Sequence, residues 1–222
     1  MFRYHPNGAG ADFRRKFVRR FACHRPYFSR VGVSGKAGRF SFGRIAQEVT
    51  ARLQPFGARI VTSSPRTSQG SLPPGVTKTD LPTLLRESDV VSVLASLTEE
   101  TRHMIGAAEF ALMKRDAVLV NTARGAIIDE EALLVALRHR RIAGAALDAF
   151  STEPLPIDSP LRKLDNVILT PHSVGHTGEG VAAIAPALIE NIRCILRGEV
   201  PLICKNPEAE QAWRSRLKRL NS

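Results

Sequence analysis

Between residues 40 and 207 the period of apolar positions switches repeatedly. In FGRIAQEVTARLQPFG, Ile45, Val49 and Leu53 recur at helical spacing, and Gly57 stands where helices commonly close. ARIVTSS is short and β-branched, which predicts a strand. A helical turn in LPTLLRES leads into a second strand, DVVSVLAS, bounded by Asp89 and Ser96. Thr101 to Lys114 suits a helix and AVLVNT a buried strand. DEEALLVALRHRR places acids first and bases last, as a helix macrodipole favours. AGAALDAF and NVILTPH are two further strands, and GEGVAAIAPALIENIRCILRG is a long amphipathic helix stopped by Gly198. The strands are apolar runs without the in-out alternation of an open antiparallel sheet. That pattern predicts an α/β fold, a Rossmann-type doubly wound parallel sheet in three αβα layers.

Composition agrees with a packed domain: 222 residues, 43% hydrophobic and 24% charged. The net charge of +11 changes the picture only once it is mapped. Residues 1–40 hold ten Lys or Arg against Asp12 alone, whereas the other 182 residues hold 22 basic and 20 acidic side chains. Residues 1–38 are therefore expected to be a poorly ordered basic leader, 39–207 the globular domain and 208–222 a C-terminal tail. Within the leader, Arg14-Arg15-Lys16 and Arg19-Arg20 alternate with Phe13, Phe17 and Phe21, a pattern able to touch phosphate and stack on bases. A solvated tail is the plainer expectation, so a nucleic-acid partner is not expected. The Arg-rich, acid-poor leader loosely matches a mitochondrial presequence, but its serines are few. A cytoplasmic location is expected, with the mitochondrion as the alternative. Cys23, Cys194 and Cys204 form no CxxC pair, which argues against a disulfide framework and a metal site and fits a reducing compartment. The apolar stretch Val181–Ile189 ends at Glu190, far short of the ~20 residues of a membrane span.

Candidate chemistry begins at FSFGRIA. A dinucleotide fingerprint, G-x-G-x-x-G/A, needs a tight turn, a close backbone approach and tight helix packing; Ser41, Gly43 and Ala46 occupy those places here. The fingerprint also expects an acid roughly 20 residues on, for the ribose hydroxyls. At that place stands Ser64, followed by Pro65 and Arg66, a combination that tolerates a 2′-phosphate. An ordinary strand-to-helix turn and a solvated Arg66 are the plain alternatives.

At LVNTARGAIIDEEALLVAL the chain resembles the NAD-binding half of the D-isomer-specific 2-hydroxyacid dehydrogenases. FGRIAQEVTARLQPFGARI, LLRESDVVSV, LTEETRHMIGAAEFALMK, IAGAALDAFSTEP and NVILTPHSVGHT extend the likeness over residues 40–207 in the family's order. The resemblance implies a catalytic trio of Arg124, Glu153 and His172. These residue types suit hydride transfer to a 2-keto acid: Arg offers a fork of donors for carboxylate and carbonyl, His a proton, and a carboxylate beside the imidazole orients it. It also implies cofactor contacts at Gly43, Arg44, Ile45, Ser64, Thr122, Ala123, Arg124, Asp148 and His172, with NAD as cofactor and NADP as the alternative. His176 and Thr177 are expected in a loop by the cofactor. A small 2-hydroxy or 2-keto acid partner and a homodimer follow from the same likeness.

Three places depart from the family pattern. The N-terminal half that walls the substrate cleft is expected to be missing, making the chain a truncated or rearranged member. GKAGRFSF is a poor match to the apolar first strand of a nucleotide fold. Leu94 and Ser96 replace a His and a Pro after DVVSV. Three functions therefore compete: a dehydrogenase, an impaired dinucleotide-binding fragment, and a nucleotide-sensing protein with a nucleic-acid-contacting leader. A cleft with one wall is expected to lose most of its rate, because hydride transfer needs water excluded and the substrate held.

Overall fold

A computed structural model describes residues 30–34, 42–64, 67–201, 204 and 206–220. The expectations for residues 1–29, Ser41, Pro65 and Arg66 lie outside them. Seven parallel strands form one sheet: β1 (Arg30–Ser34), β2 (Arg59–Ser63), β3 (Val76–Lys78), β4 (Val90–Val93), β5 (Val118–Asn121), β6 (Gly144–Leu147) and β7 (Val167–Leu169). Their order is β3-β2-β1-β4-β5-β6-β7. The intervening helices are α1 (Arg44–Leu53), α2 (Leu81–Glu87), α3 (Ala107–Leu112) and α4 (Glu130–Arg138). This is the doubly wound arrangement expected of the apolar runs, and its order reverses at β1 and β4. In such sheets ligands bind outside the carboxyl ends of the strands at the reversal.

The central strand corrects the sequence reading. RVGVS, inside the segment expected to be leader, is a strand of the sheet, and the expectation for GKAGRFSF lies almost wholly outside the described residues. Val31 pairs in register with Ile60 of β2 and Val90 of β4, so β1 has ladders on both sides. Five residues between basic flanks carry too few periodic positions to be found from pattern, and the two neighbouring ladders supply what local propensity does not. The carboxyl edge therefore has its central strand.

Three smaller differences follow the same logic. The helix expected over Thr101–Lys114 shrinks to Ala107–Leu112, because the chain before it bonds elsewhere. Thr101 Oγ1 donates to the Ser96 carbonyl and accepts from the Thr98 amide, and the His103 and Ile105 amides donate to Ala126 and Ile127. The Glu109 carboxylate then accepts from the Gly106 amide at 3.0 Å and starts the helix. β3, only three residues after Pro73-Pro74-Gly75, was too short to expect. The segment expected as a tail forms a helix, α6 (Glu210–Leu220).

Leu84, Leu85, Val91, Val93, Ile105, Leu119 and Ile127 are wholly buried and make the main core with the strands' apolar side chains. A smaller cluster joins Phe42, Ala46, Ile60 and Val76 beneath α1. The chain divides into two compact units after Ser173. In the second, Thr177 caps α5 (Gly178–Leu196) by accepting from the Gly180 amide, and Gly198, at φ +71°, follows its end. No helix among the described residues is long and apolar enough to cross a membrane.

Asp129 caps α4, its carboxylate accepting from the Glu131 and Ala132 amides. Asp129→Ala is expected to cost about 1 kcal/mol, read as a lower urea midpoint at constant slope. An unchanged midpoint would mean that water replaces the cap without loss.

Candidate active site

Parallel pairing places every β-strand's carboxyl end on one edge, and the candidate residues follow those ends. Gly43 lies between β1 and α1, Ser64 follows β2, Thr122 to Arg124 follow β5, and Asp148 follows β6. Glu153 lies in the loop after Asp148, and His172 follows β7. Residues far apart in sequence thus share an edge because the sheet is parallel throughout.

The β5 loop is built by Asn121, which is buried. Its side chain accepts from the Ala123 amide at 3.0 Å and donates to the Arg124 carbonyl at 3.1 Å, closing NTAR into a tight turn. Arg124 is exposed, and one guanidinium nitrogen donates to the Ala123 carbonyl. Gly125 then packs on the backbone of the next loop: a Cβ there would lie 1.9 Å from the Phe150 carbonyl carbon. Glu130, at the start of α4, accepts from the Ser151 amide at 3.1 Å. Asn121, Gly125 and Glu130 were not singled out in the sequence. Their signal is present in NTARG and DEE, but Asn121's role is visible only in the turn it closes, and those of Gly125 and Glu130 only across two loops.

Glu153 and His172 meet directly, with Oε2 at 2.8 Å from Nδ1. Glu153 Oε1 accepts from the Phe150 amide at 2.9 Å. That amide first, and the His172 ring second, hold the Glu153 carboxyl below the ordinary carboxylate range. The electrostatic influence of His172 and Arg124 adds to this, and partial burial opposes it. Arg124 thus reaches Glu153 through its field, while His172 reaches it by contact. With Nδ1 engaged by a carboxylate, Nε2 is the ring nitrogen left for exchange with a ligand. His172 itself has φ +52°, a left-handed conformation uncommon for a side-chain-bearing residue. Asp148 braces that turn: its Oδ1 accepts from Thr170 Oγ1 at 2.6 Å and from the Ser173 amide at 2.9 Å. The expected cofactor contact is therefore also the clamp of the histidine loop.

Glu153 is more acidic folded than unfolded, so its contribution to stability is complete above its ordinary value of 4.5 and fades as pH falls through the lowered one. At 37% side-chain exposure that contribution is small. Urea midpoints of the unaltered chain and Glu153→Gln should differ near about pH 6 and converge towards about pH 3. A pH-independent difference would remove this linkage.

The nucleotide end of the edge carries fitting donors. The N-cap of α1 is Gly43, without a side-chain cap, and no acid occupies the first turn, which begins with Arg44. First-turn amides without a side-chain partner, at the positive end of a ten-residue helix, suit a pyrophosphate. Ile45 is 65% exposed beside them. Ser64 is buried; its hydroxyl bonds Thr67 Oγ1 at 2.7 Å, and the Thr67 amide donates back to the Ser64 carbonyl. Thr177 belongs to the second unit, where it caps α5. Among the described residues no group of three or more His, Cys, Asp or Glu is placed to hold a metal ion.

A parallel sheet with a reversal, an uncapped helix N-terminus and an Arg/Glu/His edge defines a dinucleotide-binding α/β domain. Residues 14–174 match the sequence profile described as "D-isomer specific 2-hydroxyacid dehydrogenase, NAD binding domain", and the chain belongs to that family. The match starts within the segment expected to be an unrelated leader, sixteen residues before β1. A glyoxylate reductase of Korarchaeum cryptofilum is 44% identical over 172 residues, 77% of this chain and 52% of that protein. The D-lactate dehydrogenase of Lactobacillus jensenii, solved with NAD+, superposes with a TM-score of 0.73 at 25% identity, covering 89% of this chain and 63% of that one. A family member from Xanthobacter autotrophicus Py2, solved with NADPH and MES, gives 0.69 at 34% identity, covering 91% and 84%. The chain spans about half the length of the curated relatives it matches.

Proposed function

We propose that this chain is the cofactor-binding, proton-donating part of a nicotinamide-dependent dehydrogenase that interconverts 2-keto acids and D-2-hydroxy acids, glyoxylate and hydroxypyruvate being the first substrates to try. The observation that carries this reading is the 2.8 Å contact between His172 Nδ1 and Glu153 Oε2, on the strand edge of a domain from this family. A bound nicotinamide supplies the hydride. Arg124 holds the substrate carboxylate and polarises the keto oxygen through its planar fork. His172, kept in one orientation by Glu153, delivers a proton from Nε2 to the oxygen as it becomes a hydroxyl. Asp148 and Asn121 hold the two loops in place, and Gly43, Arg44 and Ile45 receive the pyrophosphate, with Thr122 and Ala123 along the nicotinamide side.

The reading includes a cytoplasmic homodimer. Cys194 and Cys204, free thiols among the described residues, support a reducing compartment, and the family likeness supports the dimer. Light scattering of the purified chain tests the assembly.

The central test is a fluorescence titration with reduced nicotinamide cofactor, followed by turnover of glyoxylate and hydroxypyruvate. Saturable binding and turnover support the proposal. Binding without turnover of any 2-keto acid favours a dinucleotide-binding role instead. A folded chain that binds neither NADH nor NADPH would sink both.

A further inference from the structure

The amino edge of the sheet, opposite the candidate active site, carries positive charge that the dehydrogenase reading does not use. Lys114 and Arg115 stand just before β5, residues 138–141 (RHRR) just before β6, and Arg162 and Lys163 just before β7. Those three strands are adjacent and parallel, so the segments before them meet at one end of the sheet. Two contacts tie them together. The Arg141 guanidinium donates to the Ala111 carbonyl of α3, and Arg140 pairs with Asp165 at 2.5 Å. In sequence these segments are separate, and only the fold gathers them.

Residues 114–116, 138–141 and 162–165 hold seven Lys or Arg against Asp116 and Asp165, and most of that charge has no carboxylate beside it. Lys114 is paired with Asp89 and Arg140 with Asp165, and Asp116 is itself engaged. Arg141 and Arg162 donate to backbone carbonyls, which leave the charge uncompensated. Among the described residues no ion pair engages Arg115, Arg138 or Lys163, and all three are exposed. The macrodipole of α4 accounts for Arg138, in its last turn, but not for the cations in the turns beyond. The end of that helix adds a backbone observation. The Arg140 amide donates to the Leu137 carbonyl at 3.2 Å and the Arg141 amide to the Ala136 carbonyl at 2.8 Å, a closure whose left-handed position is usually glycine. Arg140 holds that position at φ +50°. Glycine would serve the turn without strain, so the chain keeps a cation here against its backbone preference.

We propose that this edge is a contact surface for the phosphate backbone of a nucleic acid, bound without regard to base sequence. Four of the five cations without a carboxylate are arginines, whose planar forks match phosphate oxygens. Adjacent strands lie about 5 Å apart, so three strand ends span about 10 Å, over which one strand of a duplex presents about three phosphates. A protein partner would call for an apolar anchor, and none of residues 114–116, 138–141 and 162–165 is an exposed large hydrophobic. The net charge of +11 adds attraction at longer range.

The test is the fluorescence anisotropy of a labelled random-sequence DNA duplex of about 20 base pairs, titrated with the full chain at several salt concentrations. Replacing Arg115, Arg138 and Lys163 together by alanine is expected to weaken binding about tenfold or more and to flatten the slope of log K against log salt by about 2–3. A second triple variant, alanine at Arg102, Arg193 and Arg214, loses the same charge outside the three segments and should change affinity by about twofold at most. Arg140→Gly separates binding from folding: it is expected to weaken binding while leaving Tm unchanged or higher, because glycine relieves the left-handed backbone. Equal losses in the two triple variants overturn the proposal, since the contact would then be general charge attraction. No binding at low salt overturns it as well. Displacement of the duplex by polyglutamate as readily as by unlabelled DNA also overturns it, in favour of an acidic protein partner.

Discussion

On the proposed function, replacing His172 by alanine is expected to lower the rate of glyoxylate reduction by about 10²–10⁴-fold, the usual worth of a positioned general acid. The expectation comes from geometry. Nδ1 is tied to Glu153 at 2.8 Å, the loop is clamped by Asp148 at 2.6 and 2.9 Å, and the backbone at His172 is left-handed. A conformation of that kind costs free energy and persists only where its surroundings over-determine it. Here three hydrogen bonds do so, and their joint effect is to present one ring nitrogen. The loss should fall on kcat, because a missing proton donor is felt as charge develops on oxygen rather than when the substrate binds. Glu153→Gln retains an oxygen for the Phe150 amide but removes the charge beside the ring, so its loss should be smaller. Steady-state kinetics at matched pH check both. If His172→Ala turned over glyoxylate at the unaltered rate, another group would be the proton donor and the trio would be inherited without use.

Gly125→Ala is expected to have the largest effect on the fold around the site. Its Cβ would lie 1.9 Å from the carbonyl carbon of Phe150, 2.2 Å from that carbonyl's oxygen and 2.3 Å from the Ser151 amide nitrogen. These are backbone atoms held by Glu130 and Glu153, so no side chain can swing aside. Overpacking typically costs 1–3 kcal/mol, and a backbone collision belongs at or beyond the top of that range, or about 6–12 °C in Tm for a chain of this size. The loops carrying Arg124 and Glu153 would part, so the rate should fall with the stability. Gly70→Ala is the control: nothing lies within 4 Å of its Cβ, and its stability should stay within about 0.5 kcal/mol of the original. Thermal unfolding of the two variants side by side reads the difference. A Gly125→Ala protein as stable as the control would mean that the two loops are free to separate.

Much of this protein is legible in its sequence. Continuous apolar strands between helices were enough for a parallel α/β sheet, because a strand buried on both faces has no polar positions to alternate. Arg124, Glu153 and His172 came into view through the family likeness that NTARG, STEP and TPH carry, which implies one kind of chemistry for them. Local pattern stopped where the deciding bonds were not local. Arg30–Ser34 becomes the central strand because β2 and β4 hold it from both sides, and the helix expected from Thr101 begins only at Ala107 because the preceding amides pair with Ala126 and Ile127. Gly125 and Glu130 gain their meaning from the Phe150–Ser151 loop, across contacts that no periodicity encodes, and Asn121 from the tight turn that it closes. The sequence alone determined the layers of this domain and the chemical types at its edge, since burial and side-chain chemistry are written residue by residue. Only the tertiary structure decided which strand lies at the centre and which oxygen faces which nitrogen, since register and loop-to-loop packing are settled between segments rather than within them.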